Sequence, residues 1–135
     1  MKRTVLNVFI LVLALGFYNF ESANASLNLD AMAIISFESQ TIDYGTILQD
    51  SDGNRVFNFQ NTGDAPLLIT NVKTSCGCTV PSYSKEPILP GETGEIKINY
   101  NTKKLGAFTK SITVSSNTKS GNTVLKIKGN IIASE

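Results

Sequence analysis

The stretch Leu89-Pro90-Gly91-Glu92-Thr93-Gly94-Glu95-Ile96-Lys97-Ile98-Asn99-Tyr100 decides the fold. Its Pro-Gly pair sets a turn, and Ile96, Ile98 and Tyr100 then alternate with Lys97 and Asn99, the period of a half-buried strand. The same period recurs on both sides. Upstream, Phe57 and Phe59 lie two apart within Arg55 to Gln60; downstream, Phe108, Ile112 and Val114 share it, as do Leu125, Ile127 and Ile131. Ala33 to Phe37, Gln40 to Ile47 (bent at Tyr44-Gly45) and Leu67 to Val72 are further extended runs. Asp50-Ser51-Asp52-Gly53 and Asn61-Thr62-Gly63-Asp64 supply turn chemistry between them. Beyond the N-terminus no segment carries a helical apolar stripe. About seven short strands in about 100 residues predict an all-β fold, an immunoglobulin-like antiparallel β-sandwich. With no Trp and no cysteine pair spanning two distant strands, its core must rest on packing. The core candidates are Phe57, Phe59, Leu67, Ile69, Ile96, Ile98, Phe108, Ile112, Val114, Leu125 and Ile127.

The N-terminus reads differently. Lys2 and Arg3 precede a nearly continuous apolar run from Val5 to Phe17, followed by Ala23-Asn24-Ala25. That order predicts a signal peptide over residues 1–25, cleaved before Ser26, and a single domain over residues 26–135. The run is shorter than the roughly 20 residues that span a bilayer, so no membrane span is expected after cleavage. The expected address is the periplasm or the cell exterior. No cysteine lies near the cleavage point to carry a lipid. Cleavage removes Lys2, Arg3 and Glu21, which takes twelve basic and eleven acidic side chains to ten of each. A balanced, scattered charge gives no footprint for nucleic acid or an acidic membrane surface. The chain has no His, which excludes histidine as base, acid or metal ligand.

Three motifs in order carry a family resemblance. They are Asn61-Thr62-Gly63-Asp64-Ala65-Pro66-Leu67-Leu68-Ile69, then Ser75-Cys76-Gly77-Cys78-Thr79, then Ile88-Leu89-Pro90-Gly91-Glu92; Asp43-Tyr44-Gly45-Thr46-Ile47 precedes them. Together they resemble the bacterial secreted family known as domain of unknown function 1573. The Asn-Thr-Gly to Pro-Leu portion is also similar to immunoglobulin-like modules of the abnormal-spindle, Hydin and major-sperm-protein type. The resemblance spans nearly all of the chain after residue 25. It implies an immunoglobulin-like sandwich and brings no activity with it.

Cys76 and Cys78 are the only cysteines, one glycine apart. Three chemistries are open to them: a very short disulfide or two buried thiols, a redox-labile pair, and a thiolate site for a soft metal. In an oxidising compartment two cysteines tend to pair, and Gly77 is expected to bend the backbone so that the bridge closes. So small a ring removes little chain entropy, which weakens a stabilising role and favours reducibility. Against a redox role, the pair follows a strand and not a helix N-terminus, with only Lys73 as a nearby cation. Two thiolates suit Cu(I), whereas zinc wants four ligands. The structural reading ranks first, the redox reading second, the metal reading third, and no cofactor is expected.

The remaining candidates are weaker. Asp50-Ser51-Asp52-Gly53-Asn54 has its glycine too early for a calcium loop and lacks the closing glutamate. Glu92 and Glu95 flank a Pro-Gly turn and read as a solvated face. Tyr83 and Tyr100 are expected at the surface. The function expected is therefore non-enzymatic: binding or a structural role in the cell envelope, with a protein partner. The interaction loop would hold Ser75, Gly77, Thr79, Pro81 and Tyr83, and the chain would be a monomer or an edge-paired homodimer. The rival is an envelope thiol or copper protein acting through Cys76 and Cys78.

Overall fold

The computed structural model describes residues 30–135, so the expected signal segment over residues 1–25 lies outside the described residues. Eight strands follow: β1 (Ile35–Phe37), β2 (Thr41–Leu48), β3 (Asn54–Asn61), β4 (Ile69–Thr74), β5 (Thr79–Tyr83), β6 (Thr93–Tyr100), β7 (Gly106–Ser116) and β8 (Asn122–Ile132). They form two four-stranded sheets ordered β1-β3-β6-β5 and β2-β8-β7-β4. This is the expected immunoglobulin-like sandwich, with one difference in pairing. β2 runs parallel to β8, while every other pair is antiparallel. The chain leaves β1 in one sheet and crosses to the edge of the other, where β2 pairs with the last strand. Alternation within a strand shows that it is a strand and is silent on its neighbour's direction. Gly45, at φ 65°, sits where the β2–β8 register shifts between Asp43 and Thr46. There it takes a conformation that residues with a Cβ rarely adopt.

All eleven expected core residues are buried, since alternation turns their side chains into the space between the sheets. Tyr100 joins them, 4% exposed, against the surface position expected for it. Its ring stacks on Phe108 with centroids 3.9 Å apart, and Tyr44 meets Phe108 edge-on at 5.4 Å. The Tyr44 hydroxyl donates to the Gly53 carbonyl at 2.8 Å, and the Arg55 guanidinium lies 4.1 Å from its ring centroid. Burial pushes the Tyr44 hydroxyl pKa up from 10.0 to about 12, against the smaller opposing pull of Arg55.

The Asn61-Thr62-Gly63-Asp64 turn is a clamp as well as a turn. Asn61 is fully buried; its Nδ2 donates to the Ala65 carbonyl at 2.8 Å and the Ile88 carbonyl at 2.9 Å. Its Oδ1 accepts from Gly63 N–H at 3.0 Å and Ile34 N–H at 3.4 Å. Asp64 Oδ1 accepts from Met32 N–H at 2.6 Å. Gly63 runs so close to Met32 and Ile34 that a Cβ there would overlap their backbone. One buried amide thus ties the incoming segment, the turn and the Leu67–Ile88 bridge together.

Candidate functional site

The chain changes sheets between β4 and β5, and the two cysteines occupy that corner. Cys76 and Cys78 are bridged, with Cα atoms 5.4 Å apart, within the range a disulfide requires. The corner is also held without sulfur. Thr74 Oγ1 lies 2.9 Å from the Cys76 carbonyl and 3.2 Å from that of Thr79, and Asn101 N–H donates to the Cys78 carbonyl at 2.8 Å. Ser75 N–H donates to Ser111 O at 3.0 Å, and Ser111 N–H to Ser75 Oγ at 3.1 Å.

Gly77 does not do what its residue type suggested. Its φ is not positive, and apart from its cysteine neighbours nothing lies within 4 Å of where a Cβ would stand. The bridge closes with ordinary backbone, so the bend is shared among the residues of the corner.

β5 is the outer strand of its sheet, and alternation sorts its residues. Thr79, Pro81 and Tyr83 turn inward and Val80 and Ser82 outward. Thr79 is 3% exposed and cannot belong to a contact surface, contrary to the expected loop. Val80, which the sequence reading passed over, is 62% exposed and presents the apolar surface instead. The alternating Thr79, Pro81 and Tyr83 could have pointed to it. Tyr100 N–H donates to Gly53 O and Asn101 N–H to Cys78 O, so the β6 backbone faces β3 and β5 at alternate residues. Continued along the ladder, that alternation aims the backbone of Pro81 at the open edge. The missing N–H of Pro81 therefore costs β5 no bond to β6 and blunts the edge against a further strand.

Beside Tyr83 a groove of about 370 Å³ runs under the 84–88 segment, floored by Phe59, Ile69 and Ile88 and rimmed by Glu86, Glu95 and Lys97. Glu95 and Lys97 pair at 3.3 Å in the open, a contact worth little. Glu92 caps the Pro-Gly turn by accepting from Leu89 N–H at 3.0 Å. A larger hollow of about 560 Å³ lies over the β1–β3–β6 ladder, among Glu38, Asn58, Gln60 and Thr93. Its polar groups face solvent along a ladder and do not converge on a point. Among the described residues no three His, Cys, Asp or Glu side chains gather to hold a metal ion.

Two four-stranded sheets with a sheet-switching corner define an immunoglobulin-like sandwich. The chain belongs to the family described as Protein of unknown function (DUF1573), whose model matches residues 35–131. No curated protein matches it. Among solved structures it is similar to a protein of unknown function from Porphyromonas gingivalis (TM-score 0.67, 16% identity, 80% of this chain and 51% of that one). It is also similar to a PapD-like domain of human CEP192 (TM-score 0.64, 9% identity, 77% and 89% covered). A third is the Pseudomonas aeruginosa CupB2 chaperone (TM-score 0.54, 8% identity, 71% and 55% covered). The chain spans about half the length of the Porphyromonas protein. At these identities the likeness is one of fold.

Proposed function

We propose that the chain is a non-catalytic binding module of the cell envelope, contacting a protein partner through the Ser75–Tyr83 corner and the groove beside Tyr83. The observation that carries this reading is Val80. A β-branched side chain 62% exposed on the outer face of an edge strand presents apolar surface that a partner can cover, and Tyr83 on the same strand borders the groove. Pro81 shapes the mode of contact. It blocks continuous strand addition at β5, so recognition runs through side chains, and an edge-paired homodimer would have to use another edge. The leader-like N-terminus supports an address outside the cytoplasm.

The test is association of the protein with partners recovered from its own compartment. Val80→Lys and Tyr83→Ala are expected to lose a partner that wild type retains, with the fold intact by circular dichroism. A partner held at wild-type level by both variants removes this surface from consideration.

A further inference from the structure

We propose that the Cys76–Cys78 bridge is a thiol-exchange site, opened by attack of an external thiolate on Cys76 while the corner keeps its shape. This chemistry does not rest on the binding reading. It concerns what the bridge can accept, whether or not a partner sits beside it.

Three observations on the structure carry it. First, the bridge is not what holds the corner. The carbonyls of both cysteines are engaged by Thr74 and Asn101, and Ser75 is locked to Ser111, all without sulfur. A ring closed across one intervening residue also restrains the unfolded chain less than any longer loop would. Second, the ring is open to approach. Gly77 is exposed with free space where a side chain would stand, and both cysteines are half-exposed. Third, the two sulfurs differ in setting. Cys78 packs against the hydrophobic core, and Cys76 is not among the residues that do.

The chemistry balances with thiols as the only co-reactant. A thiolate attacks Cys76 Sγ, the Cys76–Cys78 bond breaks, and a mixed disulfide forms on Cys76 while Cys78 leaves as thiolate. A second thiolate attacks the incoming group's sulfur, releasing an external disulfide and the Cys76 thiolate. The two protons of the external thiols end on the two cysteines. Two thiols are oxidised to one disulfide, and the bridge is reduced to a dithiol. The substrate class is an accessible thiol. A monothiol needs a second thiol to resolve the mixed disulfide, against re-closure by Cys78, so its adduct is transient, whereas a dithiol resolves it at once by closing on itself.

The experiment incubates the native protein, without denaturant, in glutathione redox buffers and in parallel in dithiothreitol buffers. Acid quenching, alkylation and intact mass then give the open fraction, and peptide mapping gives the position of the glutathione adduct. The expected result is opening in both buffers with the circular dichroism spectrum retained, and a transient adduct on Cys76. A bridge that stays closed until denaturant is added overturns the proposal. So does an adduct confined to Cys78.

Discussion

Replacing Asn61 by Ala should cost the domain about 3–4 kcal/mol, a large part of a small domain's stability. The magnitude follows from its partners taken one at a time. The Ala65 carbonyl accepts from Asn61 and is left unpaired, at about 1–2 kcal/mol. The Ile88 carbonyl loses one bond but keeps Leu67 N–H at 2.8 Å, so its loss counts for about 1 kcal/mol. The Gly63 N–H loses its acceptor, again at about 1 kcal/mol, while the 3.4 Å contact to Ile34 N–H adds little. Urea unfolding followed by circular dichroism measures the change, with a matching fall in melting temperature of about 12–30 °C. Asn61→Asp should be as damaging despite its shape, because a carboxylate oxygen would then face two carbonyls. Thr62→Ala, at an exposed neighbour, should stay within about 0.5 kcal/mol of wild type. A loss below about 1 kcal/mol for Asn61→Ala would refute the clamp and with it the physical reading of this motif.

Tyr44 has its pKa raised from 10.0 to about 12 in the fold, and burial raises Tyr100 in the same direction. The unfolded chain therefore loses these protons first: stability is full below pH 10 and falls as pH rises from 10 towards 12. Urea midpoints on either side of pH 10 check this, and Tyr44→Phe should show a shallower fall; an equal fall would remove Tyr44 as its source. Gly77→Ala should form the same bridge and stay within about 0.5 kcal/mol of wild type, since its backbone is ordinary and its surroundings empty. Failure to form the bridge would show that glycine is required after all. Protein recovered from the envelope should begin at Ser26 by intact mass, and an unprocessed Met1 form there would overturn the signal assignment.

Much of the sandwich was legible because alternation is a local property. The Ile96–Ile98–Tyr100 stripe identifies a strand and its buried face, and it could have placed Tyr100 inside with the other two. Turn residues at 50–53, 61–64 and 89–91 mark where strands stop, and the edges err by a residue or two. The partner of each strand is non-local, which is why the parallel β2–β8 pair and the separation of β1 from β2 did not show. The corner was legible in part. Two cysteines one residue apart left a bridge, buried thiols, a redox-labile pair and a metal site open, and the bridge is read from the structure; Val80 becomes prominent only once β5 is known to be an outer strand. Asn61 read as a turn former because its partners lie up to 27 residues away. Gly77 misled for the opposite reason: a glycine in a tight motif suggests a special φ, and here the backbone does not use one.

The claim that the Ser75–Tyr83 corner is the working surface is tested most directly by a photo-crosslinking residue placed at Val80 in the intact cell. Val124, 55% exposed on the other sheet, serves as the control position. The account predicts a discrete crosslinked adduct from position 80 that is weak or absent from position 124 and is lost when Tyr83→Ala is added. Adducts of equal strength from both positions, or from position 124 alone, would contradict it.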